Sequence, residues 1–365
     1  MYAAMQGLPV PFWARTATWP LWLASQGYRV AVTAHRAGYE CGLRRRRRLP
    51  CPVVSIGNLT VGGTGKTPLA EWTAHWLQRQ GWRVAVLSRG YGGAAEEQPH
   101  VVSTGEGPVT GWRTAGDEAY LLATRLPGVP VLVGRNRFAS GAYACEKFGA
   151  QVLVLDDGFQ HHALQRDCDI VLIDAVNPFG QGSLLPRGTL REPLRALRRS
   201  QLIVLSRVET ARDAVTELSR RIRCHAPRQP IYHMAVSPDG LYRHDTGCSV
   251  DLPWLKGRRV CAFAGLGNPQ AFAASLTRCG ARVAAFLAFP DHHPYSADDW
   301  QAIQEAGRCE RTEALITTEK DVVRLEPSWL LAAPVYSMRV RVEIAPHDPP
   351  FTLHLDKLMH HATTC

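Results

Sequence analysis

Short apolar runs alternate with amphipathic stretches along most of the chain. The runs are rich in valine, isoleucine and leucine, and they lie at residues 53–56, 83–88, 129–133, 152–155, 170–173 and 202–205. Strands that helices cover on both faces have this pattern. The stretches between them have a helical spacing of apolar residues, and they lie at residues 69–80, 119–125 and 138–148. This alternation predicts an α/β fold with a doubly wound, mostly parallel sheet.

The pattern starts again after about residue 225. Pro227, Pro230, Pro238 and Gly240 indicate a linker, in which residues 231–236 and 241–242 are predicted to form two strands. A second alternation follows, with strands at 260–264 and 283–286 and helices at 270–279 and up to 306, before the stretch at residues 314–321. We therefore expect a larger domain at residues 49–228, a two-stranded linker at 229–255 and a smaller α/β domain at 256–365.

Residues 1–48 form a separate N-terminal segment. It contains Trp13, Trp19 and Trp22 and ends in an arginine run at residues 44–48. Arg15, Pro20 and Arg29 interrupt its apolar residues, so it falls short of the ~20 continuous apolar residues that span a bilayer. Tryptophans beside a basic run favour an amphipathic helix that lies in the membrane interface and is attracted to anionic headgroups. The alternative is a helix packed on its own domain with a solvated basic loop behind it.

The composition narrows the range of functions only modestly. The net charge of the 365 residues is +10, and the ten cysteines include no C-x-x-C pair and no metal-ligand spacing. We interpret the cysteines as reduced thiols of a cytosolic protein. Nothing interleaved with the arginine run supports nucleic-acid binding. No protein partner can be deduced from the sequence.

The most specific motif is the glycine-rich loop after the first apolar run. A strand, a glycine loop and a helix in this order are what a phosphate-binding P-loop requires. Lys66 would reach the β/γ phosphates and Thr67 would ligate Mg²⁺. Thr60 stands where the strict P-loop pattern has glycine. The predicted nucleotide-binding residues are Thr60, Val61, Gly62, Gly63, Thr64, Gly65, Lys66 and Thr67.

Carboxylates follow several of the predicted strands or begin helices. Asp156 and Asp157 end an apolar strand, where a carboxylate would meet the Mg²⁺ ion held by Thr67. Asp117 and Glu118 begin a helix, as the helix dipole favours. His292, beside Asp291 in the second alternating unit, is a candidate proton carrier. Arg187 and Arg191 lie in a loop rich in proline and glycine that suits phosphate binding, before a predicted helix at Glu192 and Pro193.

Together these motifs resemble the tetraacyldisaccharide 4'-kinases of lipid A biosynthesis. They keep the family's order over essentially the whole chain, at residues 55–68, 88–93, 116–118, 156–161, 191–192, 291–292 and 318–321. The resemblance implies a P-loop NTPase-type sheet, a second smaller domain and an amphipathic N-terminal helix. It implies ATP-dependent phosphorylation of the 4'-hydroxyl of a tetraacylated glucosamine disaccharide 1-phosphate. The expected location is the cytoplasmic face of the inner membrane of a Gram-negative bacterium.

Residue roles follow from matching motif positions. The resemblance implies that Asp117 is the base, that His292 tunes or relays its proton, and that Lys66 holds phosphate. Magnesium ligands are expected at Thr67, Asp156 and Glu118. Candidates for the disaccharide and its 1-phosphate are Asn58, Tyr91, Arg137, Gln160, His161 and Arg191. The expected cofactors are ATP and Mg²⁺, and the expected partners are the lipid A precursor and the anionic inner-membrane surface.

Two other classes remain open from the residues alone. A P-loop GTPase, or a metallochaperone-like switch protein, would carry a guanine-specificity motif Asn-Lys-x-Asp, and residues 318–321 read Thr-Glu-Lys-Asp instead. A soluble small-molecule kinase or ligase would leave the tryptophans and arginines of the N-terminal segment unexplained. A DNA-binding protein would have no use for the P-loop.

Overall fold

The computed structural model describes residues 18–93, 98–347 and 349–364. The part of the predicted N-terminal segment at residues 1–17, including Trp13 and Arg15, lies outside the described residues. The rest of that segment begins with helix α1, Thr18–Glu40. No helix of the described part of the chain is both long enough and apolar enough to cross a bilayer.

Within the described residues, thirteen strands form one continuous sheet. The strands are β1 Val53–Asn58, β2 Val84–Ser88, β3 His100–Ser103, β4 Val131–Val133, β5 Val152–Asp156, β6 Cys168–Asp174, β7 Leu202–Ser206, β8 Ile231–Arg243, β9 Cys248–Val250, β10 Arg259–Ala264, β11 Arg282–Ala288, β12 Ala314–Thr318 and β13 Val335–Ile344. Their order is β11-β10-β12-β13-β8-β7-β6-β1-β5-β2-β4-β3, with β9 paired to β8. The pairs β3–β4, β8–β9 and β8–β13 are antiparallel and the others are parallel, which confirms the predicted sheet type.

Helices cover both faces of this sheet. After α1 they are α2 Lys66–Arg79, α3 Trp112–Ala115, α4 Asp117–Arg125, α5 Arg137–Phe148, α6 Val215–His225, α7 Pro269–Arg278, α8 Ala297–Cys309, α9 Glu319–Val322, α10 Pro327–Ala332 and α11 Phe351–Thr364. The apolar side chains of β1 and β5 are fully buried between the layers, as their continuous hydrophobic sequence predicts.

The predicted linker differs from the structure. Residues 231–236 and 241–242 were expected to be two strands, but they belong to the single strand β8. A register shift in its pairing with β13 leaves Asp239 as an extra residue between Pro238 and Gly240. Proline is tolerated at such a β-bulge because the ladder hydrogen bond is already interrupted there. Since β8 also pairs in parallel with β7, it connects the two parts of the sheet.

The helix expected from Glu192 and Pro193 is also different. The chain forms a 3₁₀ helix at Leu194–Arg199 instead. It ends at Ser200, whose extended backbone leads into β7, so the stretch is too short for a stable α-helix. Glu192 is buried and receives two hydrogen bonds from the guanidinium group of Arg199, which fixes the start of this segment.

Helix α11 returns to the first half of the chain. Phe351, Leu355 and Met359 are buried in the same core as Leu69 and Leu77 of α2. The end of the predicted domain 256–365 therefore packs against the P-loop half. The division of the chain into independently folding domains stays a prediction.

Candidate active site

The glycine-rich loop lies at the carboxyl edge of the sheet, between central strand β1 and helix α2. Gly65 has a φ of 92°, a left-handed conformation that favours glycine, and α2 begins at the next residue, Lys66. The Asn58 amide donates to Thr64 Oγ1 at 3.0 Å, and Ser206 Oγ donates to the carbonyl oxygen of Thr64 at 2.8 Å. These bonds hold the loop in a curved form suited to an anion at the helix N-terminus.

The first residues of the loop are engaged with another segment. Thr60 forms an isolated antiparallel bridge with Leu190, and the N–H group of Val61 donates to the carbonyl oxygen of Thr189 at 2.8 Å. Gly62 and Gly63 have open space where a side chain would stand. The backbone N–H group of Val61 is therefore already hydrogen-bonded, whereas Gly62, Gly63, Thr64 and Gly65 surround the helix N-terminus. Nucleotide binding by Thr60 and Val61 stays a prediction.

Asp157 is a site residue that sequence reasoning left without a role. Its carboxylate is 3.7 Å from Lys66 Nζ and 3.0 Å from Arg191 Nη1. Burial alone would raise the pKa of Asp157, but the charges of Lys66 and Arg191 outweigh burial and hold the pKa below its usual value. Gln160 stands beside this pair, 3.5 Å from Arg191, and donates to the carbonyl oxygen of Asn58 at 2.8 Å. Arg191 and Gln160 thus lie together beside Lys66.

Thr67 and Asp156 form the polar pair expected of a magnesium site. Thr67 Oγ1 donates to Asp156 Oδ2 at 3.3 Å, and the other oxygen, Oδ1, is buried and has no hydrogen-bond partner. Burial, with the charges of Glu118 and Asp157, raises the pKa of Asp156 to about 7. A buried carboxylate with an unpaired oxygen beside a hydroxyl fits a hard cation. Among the described residues no cluster of three or more His, Cys, Asp or Glu could hold a metal by itself.

Glu118, the third expected magnesium ligand, is engaged by the second half of the chain. Lys320 Nζ donates to Glu118 Oε1 at 2.6 Å. Burial would raise the pKa of Glu118, but the Lys320 charge and hydrogen bond outweigh it and the pKa is lowered. Lys320 therefore competes with a cation for Oε1 of Glu118. Lys320 was not assigned a role from the sequence.

Asp117 and His292 meet across the two halves of the chain. Asp117 begins α4 after Gly116, whose φ is 82°, and a Cβ on Gly116 would stand 2.5 Å from the carbonyl oxygen of Tyr91. Asp117 is buried, and its Oδ2 is 2.7 Å from Nδ1 of His292. The Tyr91 and His292 rings pack with centroids 5.7 Å apart. The interpretation of His292 as a partner of the P-loop half agrees with this geometry.

The charges around this pair favour an ionised carboxylate. Burial would raise the pKa of Asp117, but the His292 hydrogen bond, with the charges of Lys320 and Arg324, outweighs burial and lowers the pKa. The same hydrogen bond raises the pKa of His292, against the smaller effect of burial. Arg324 Nε lies 3.9 Å from Asp117, and Arg324 is in turn fixed by Asp321 at 2.8 Å. Asp321, the last residue of the sequence motif at 318–321, thus holds Arg324 beside the pair of Asp117 and His292.

A basic pocket opens beside Arg137 and His161. Arg137 is buried, donates to the carbonyl oxygen of Gly134, and leaves Nε without a partner. Burial lowers its pKa to about 10, and burial with the charge of Arg137 lowers the pKa of His161 to about 4, so this histidine is neutral at physiological pH. The pocket is lined by Arg45, Arg47, Asn136, Phe138, His161 and Ala163.

The arginine run is therefore divided between different surroundings. Residue 47 forms a β-bridge with Leu164, so the local backbone is extended and successive side chains point in opposite directions. Arg45 and Arg47 line the pocket, whereas Arg48 is 4.0 Å from Asp167. Arg44 contacts His35 of α1 at 2.9 Å. The sequence did not reveal this division, because it depends on the pairing with a loop more than a hundred residues away.

Comparison with known proteins identifies the family of the chain. A family model described as tetraacyldisaccharide-1-P 4'-kinase matches residues 17–360. A tetraacyldisaccharide 4'-kinase of Syntrophus aciditrophicus is 42% identical over 334 residues, covering 87% of each chain. One from Anaeromyxobacter dehalogenans is 46% identical over 328 residues, covering 89% of this chain and 85% of the relative.

A solved structure is similar over nearly the full length. It is the "apo" form of LpxK from Aquifex aeolicus in complex with ATP, with 31% identity and a TM-score of 0.76. The match covers 96% of this chain and 99% of that one. The family expected from the motifs, and the kinase activity that it implies, are confirmed. The chain belongs to the tetraacyldisaccharide-1-P 4'-kinase family, the kinases that phosphorylate the lipid A precursor disaccharide.

Proposed function

We propose that this chain transfers the γ-phosphate of ATP to the 4'-hydroxyl group of the tetraacyldisaccharide 1-phosphate. The transfer would take place at the carboxyl edge of β1, β2 and β5. The observation that carries the proposal is the 2.7 Å contact of Asp117 with His292 in the crevice that also holds Lys66 and the Thr67–Asp156 pair. A hydroxyl-orienting carboxylate and a phosphate-binding loop in one crevice are what phosphoryl transfer requires. The ATP complex of the Aquifex relative supports the choice of nucleotide.

The nucleotide would lie on the P-loop. The N–H groups of Gly62 to Lys66 and the Lys66 ammonium group would hold the β/γ phosphates, with Asp157 moving its pairing from Lys66 toward Arg191. Thr67 and Asp156, with Glu118 after release from Lys320, would hold Mg²⁺. When bound, the cation neutralises charge that develops on the transferred phosphoryl group. The unpaired oxygen of Asp156 supports this assignment.

Asp117 would orient the acceptor hydroxyl group and take its proton. Its lowered pKa keeps it ionised near neutral pH. A weakly basic carboxylate is sufficient because positioning and electrostatic stabilisation dominate phosphoryl transfer. Two donors fix the carboxylate: the N–H group of Glu118 at 2.9 Å from Oδ1, and His292. His292 would stabilise the charge of Asp117 through this hydrogen bond before transfer. Loss of one proton from His292 to solvent would then balance the hydroxyl proton that Asp117 takes up.

The sugar and its 1-phosphate would occupy the crevice beside the P-loop. Tyr91, Gln160, Arg191 and Asn58 are the proposed contacts on the side of Lys66. Arg137 and His161 would lie at the start of the basic pocket, and Arg45 with Arg47 would bind the 1-phosphate. Two arginines that have no carboxylate partner among the described residues are suited to a phosphate monoester.

Helix α1 would place the enzyme on the membrane surface. Trp19, Trp22, Leu23 and Val30 are exposed, with side chains that are 67%, 47%, 52% and 69% accessible. Their helical spacing places them on one face, and aromatic and aliphatic groups of this kind enter the interfacial region of a bilayer. The proposed location is the cytoplasmic face of the inner membrane, where ATP is available.

The test is identification of the product. Purified protein is mixed with Mg·ATP and detergent-dispersed tetraacyldisaccharide 1-phosphate, beside Lys66→Ala. Mass spectrometry with ³¹P NMR should show a second phosphate at the 4'-position from wild type and a loss of at least about a hundredfold in the variant. ATP hydrolysis without a phosphorylated lipid would contradict the proposal and favour an NTPase switch.

A further inference from the structure

Two hydroxyl groups on one face of α1 hold the loop at residues 184–191. Ser25 Oγ donates to the carbonyl oxygen of Leu184 at 3.0 Å and accepts from the N–H group of Arg187 at 3.1 Å. The Tyr28 hydroxyl group donates to the carbonyl oxygen of Arg191 at 3.2 Å. Ser25 is only 3% exposed, so water cannot easily replace its two hydrogen bonds.

The same loop is joined to the beginning of the P-loop. The N–H group of Arg191 donates to the carbonyl oxygen of Leu59 at 2.7 Å. The bridge between Thr60 and Leu190, and the bond from Val61 to Thr189, continue this pairing. Residues 184–191 therefore lie between α1 and the P-loop, with backbone hydrogen bonds on the P-loop side and side-chain bonds on the helix side.

The side chain of Arg191 carries the connection into the site. Its backbone is held by Tyr28 and Leu59, and its guanidinium group pairs with Asp157, which contacts Lys66. A shift of the loop would move Arg191 and would change the partners available to Asp157. Through these contacts the position of α1 bears on the group that binds the nucleotide phosphates.

The opposite face of α1 is free for another role. Ser25 and Tyr28 are three residues apart and share a face, whereas Trp19, Leu23 and Val30 lie on the other side of the helix. The first face is hydrogen-bonded to the loop at residues 184–191, and the second face is exposed. One helix thus contacts both the active-site loop and the surroundings of the protein.

We infer that α1 is a positioning element of the active site as well as a membrane-binding helix. Ser25 and Tyr28 hold residues 184–191, and through Arg191 and the Leu59–Val61 pairing they keep the P-loop in the form that binds nucleotide. Positioning of the loop and binding of a membrane thus use two different faces of one helix, so each can be removed by substitution without the other. The inference rests on the proposed function for its kinase readout.

The test separates the two faces of the helix. The variant Ser25→Ala/Tyr28→Phe keeps the packing and removes the hydroxyl groups. On detergent-dispersed substrate its kcat should fall about tenfold, because the buried hydrogen bonds that hold residues 184–191 are lost. Its partition into vesicles should be unchanged. Thr33→Ala, which removes an exposed contact to Arg195, is the matched control and should keep wild-type kcat. Trp19→Ser/Leu23→Ser should show the converse, with reduced vesicle partition and unchanged Mg·ATP affinity.

Two further readouts distinguish positioning from a general loss of structure. A double-mutant cycle of Tyr28→Phe with Arg191→Ala should show much less than additive losses in kcat, because Tyr28 acts through Arg191. Ser25→Thr, which keeps a hydroxyl group, should restore most of the activity that Ser25→Ala loses. Additive losses, or a doubly substituted enzyme with wild-type kcat, would overturn the inference.

Mg·ATP affinity, measured by calorimetry without lipid, separates this inference from the proposed acceptor. The Ser25→Ala/Tyr28→Phe enzyme should bind Mg·ATP severalfold more weakly than wild type. If wild type forms no 4'-phosphorylated lipid but this loss of affinity is seen, the acceptor assignment fails and the positioning role stands. If the lipid product forms and the affinity is unchanged, the positioning role fails.

Discussion

At the scale of single residues, two non-glycine residues of the site have left-handed backbones. Asp157 has a φ of 53° and His292 a φ of 59°. This conformation costs on the order of 1 kcal/mol or more for such residues, so the surrounding contacts must maintain it. Asp157 is held by Lys66 and Arg191, and His292 by Asp117. The strain therefore lies at the two positions where the proposed chemistry needs a fixed side chain.

We predict that Asp117 raises the pKa of His292 measurably. NMR titration should give a pKa above the usual 6.5 in wild type and a lower value in Asp117→Asn. Because the pKa of His292 is raised in the folded state, the stabilisation is complete below the unfolded pKa and is lost as pH rises through the folded pKa. The difference in free energy of unfolding between the two proteins should therefore shrink above that pH. Equal His292 pKa values in the two proteins would contradict the pairing.

The basic pocket gives a second prediction at this scale. Arg45→Ala/Arg47→Ala should raise KM for tetraacyldisaccharide 1-phosphate at least about tenfold and should have little effect on a disaccharide without the 1-phosphate. Arg46→Ala is the matched control, because it removes the same type of side chain from the other side of the extended backbone. Assays in neutral detergent exclude anionic lipid. Equal effects of all three arginines would indicate attraction to a charged surface without a phosphate pocket.

The sequence predicted the residues of the site that belong to local motifs. Lys66 and Thr67 begin a helix and Asp156 ends a strand. Their positions could therefore be predicted from the local sequence. The partners of Asp117 and Glu118 could not be predicted in this way, because Lys320, for example, lies 202 residues from Glu118 along the chain. No local pattern shows that Lys320 reaches Glu118 or that Arg324 supports Asp117. The Asp-His motif at 291–292 was the one long-range partner found. The residues indicated His292 as a candidate proton carrier, and the family resemblance paired it with Asp117.

At the scale of elements, a short helix presents the proposed base at its N-terminus. Helix α4 has nine residues and begins with Asp117 and Glu118, where the helix dipole stabilises negative charge. The C-terminal ends of helices are less regular. Helix α8 is followed by Arg311, which has a φ of 49° that glycine would adopt without strain.

We predict that Arg311→Gly stabilises the protein. Relief of the left-handed conformation should raise the free energy of unfolding by about 0.5–1 kcal/mol, after allowance for the greater freedom of glycine in the unfolded chain. Urea denaturation followed by circular dichroism measures this change, with Arg308→Gly, inside α8, as a destabilising control. A decrease in stability for Arg311→Gly would show that the side chain compensates for its backbone.

The elements that were mispredicted share a physical cause. The break in β8 was inferred from Pro238 and Gly240, but a bulge opposite β13 accommodates both. A helix was predicted to start at Glu192 and Pro193, and the nearby start of β7 shortens it to a 3₁₀ helix. In each case pairing with a distant segment overrides the local signal, which is why the continuous strands were easier to predict.

At the scale of the whole molecule, one sheet and several ion pairs join the two halves. Strand β8 pairs with both β7 and β13, and Arg125 of α4 contacts Glu319 of α9 at 3.2 Å. Helix α11 adds Leu355 to the core around α2. The pair of Asp117 and His292 depends on this arrangement, since each residue comes from a different half.

We predict that the halves unfold together. Leu355→Ala should lower the free energy of unfolding by about 2–5 kcal/mol, because it leaves a cavity in the core of the first half. Thermal unfolding followed by the tryptophans of that half and by far-UV circular dichroism should shift by the same amount in this variant. Two separate transitions would show that the halves are independent, in agreement with the sequence-based domain division.

The most direct test of the central claim is a single-turnover measurement of phosphoryl transfer by Asp117→Asn. The enzyme is saturated with Mg·ATP and detergent-dispersed tetraacyldisaccharide 1-phosphate, and ATP affinity is measured in parallel. We predict a loss of about 10²–10⁴-fold in the transfer rate with ATP affinity within a few-fold of wild type. A transfer rate within a few-fold of wild type would contradict the role of Asp117 as the acceptor's base.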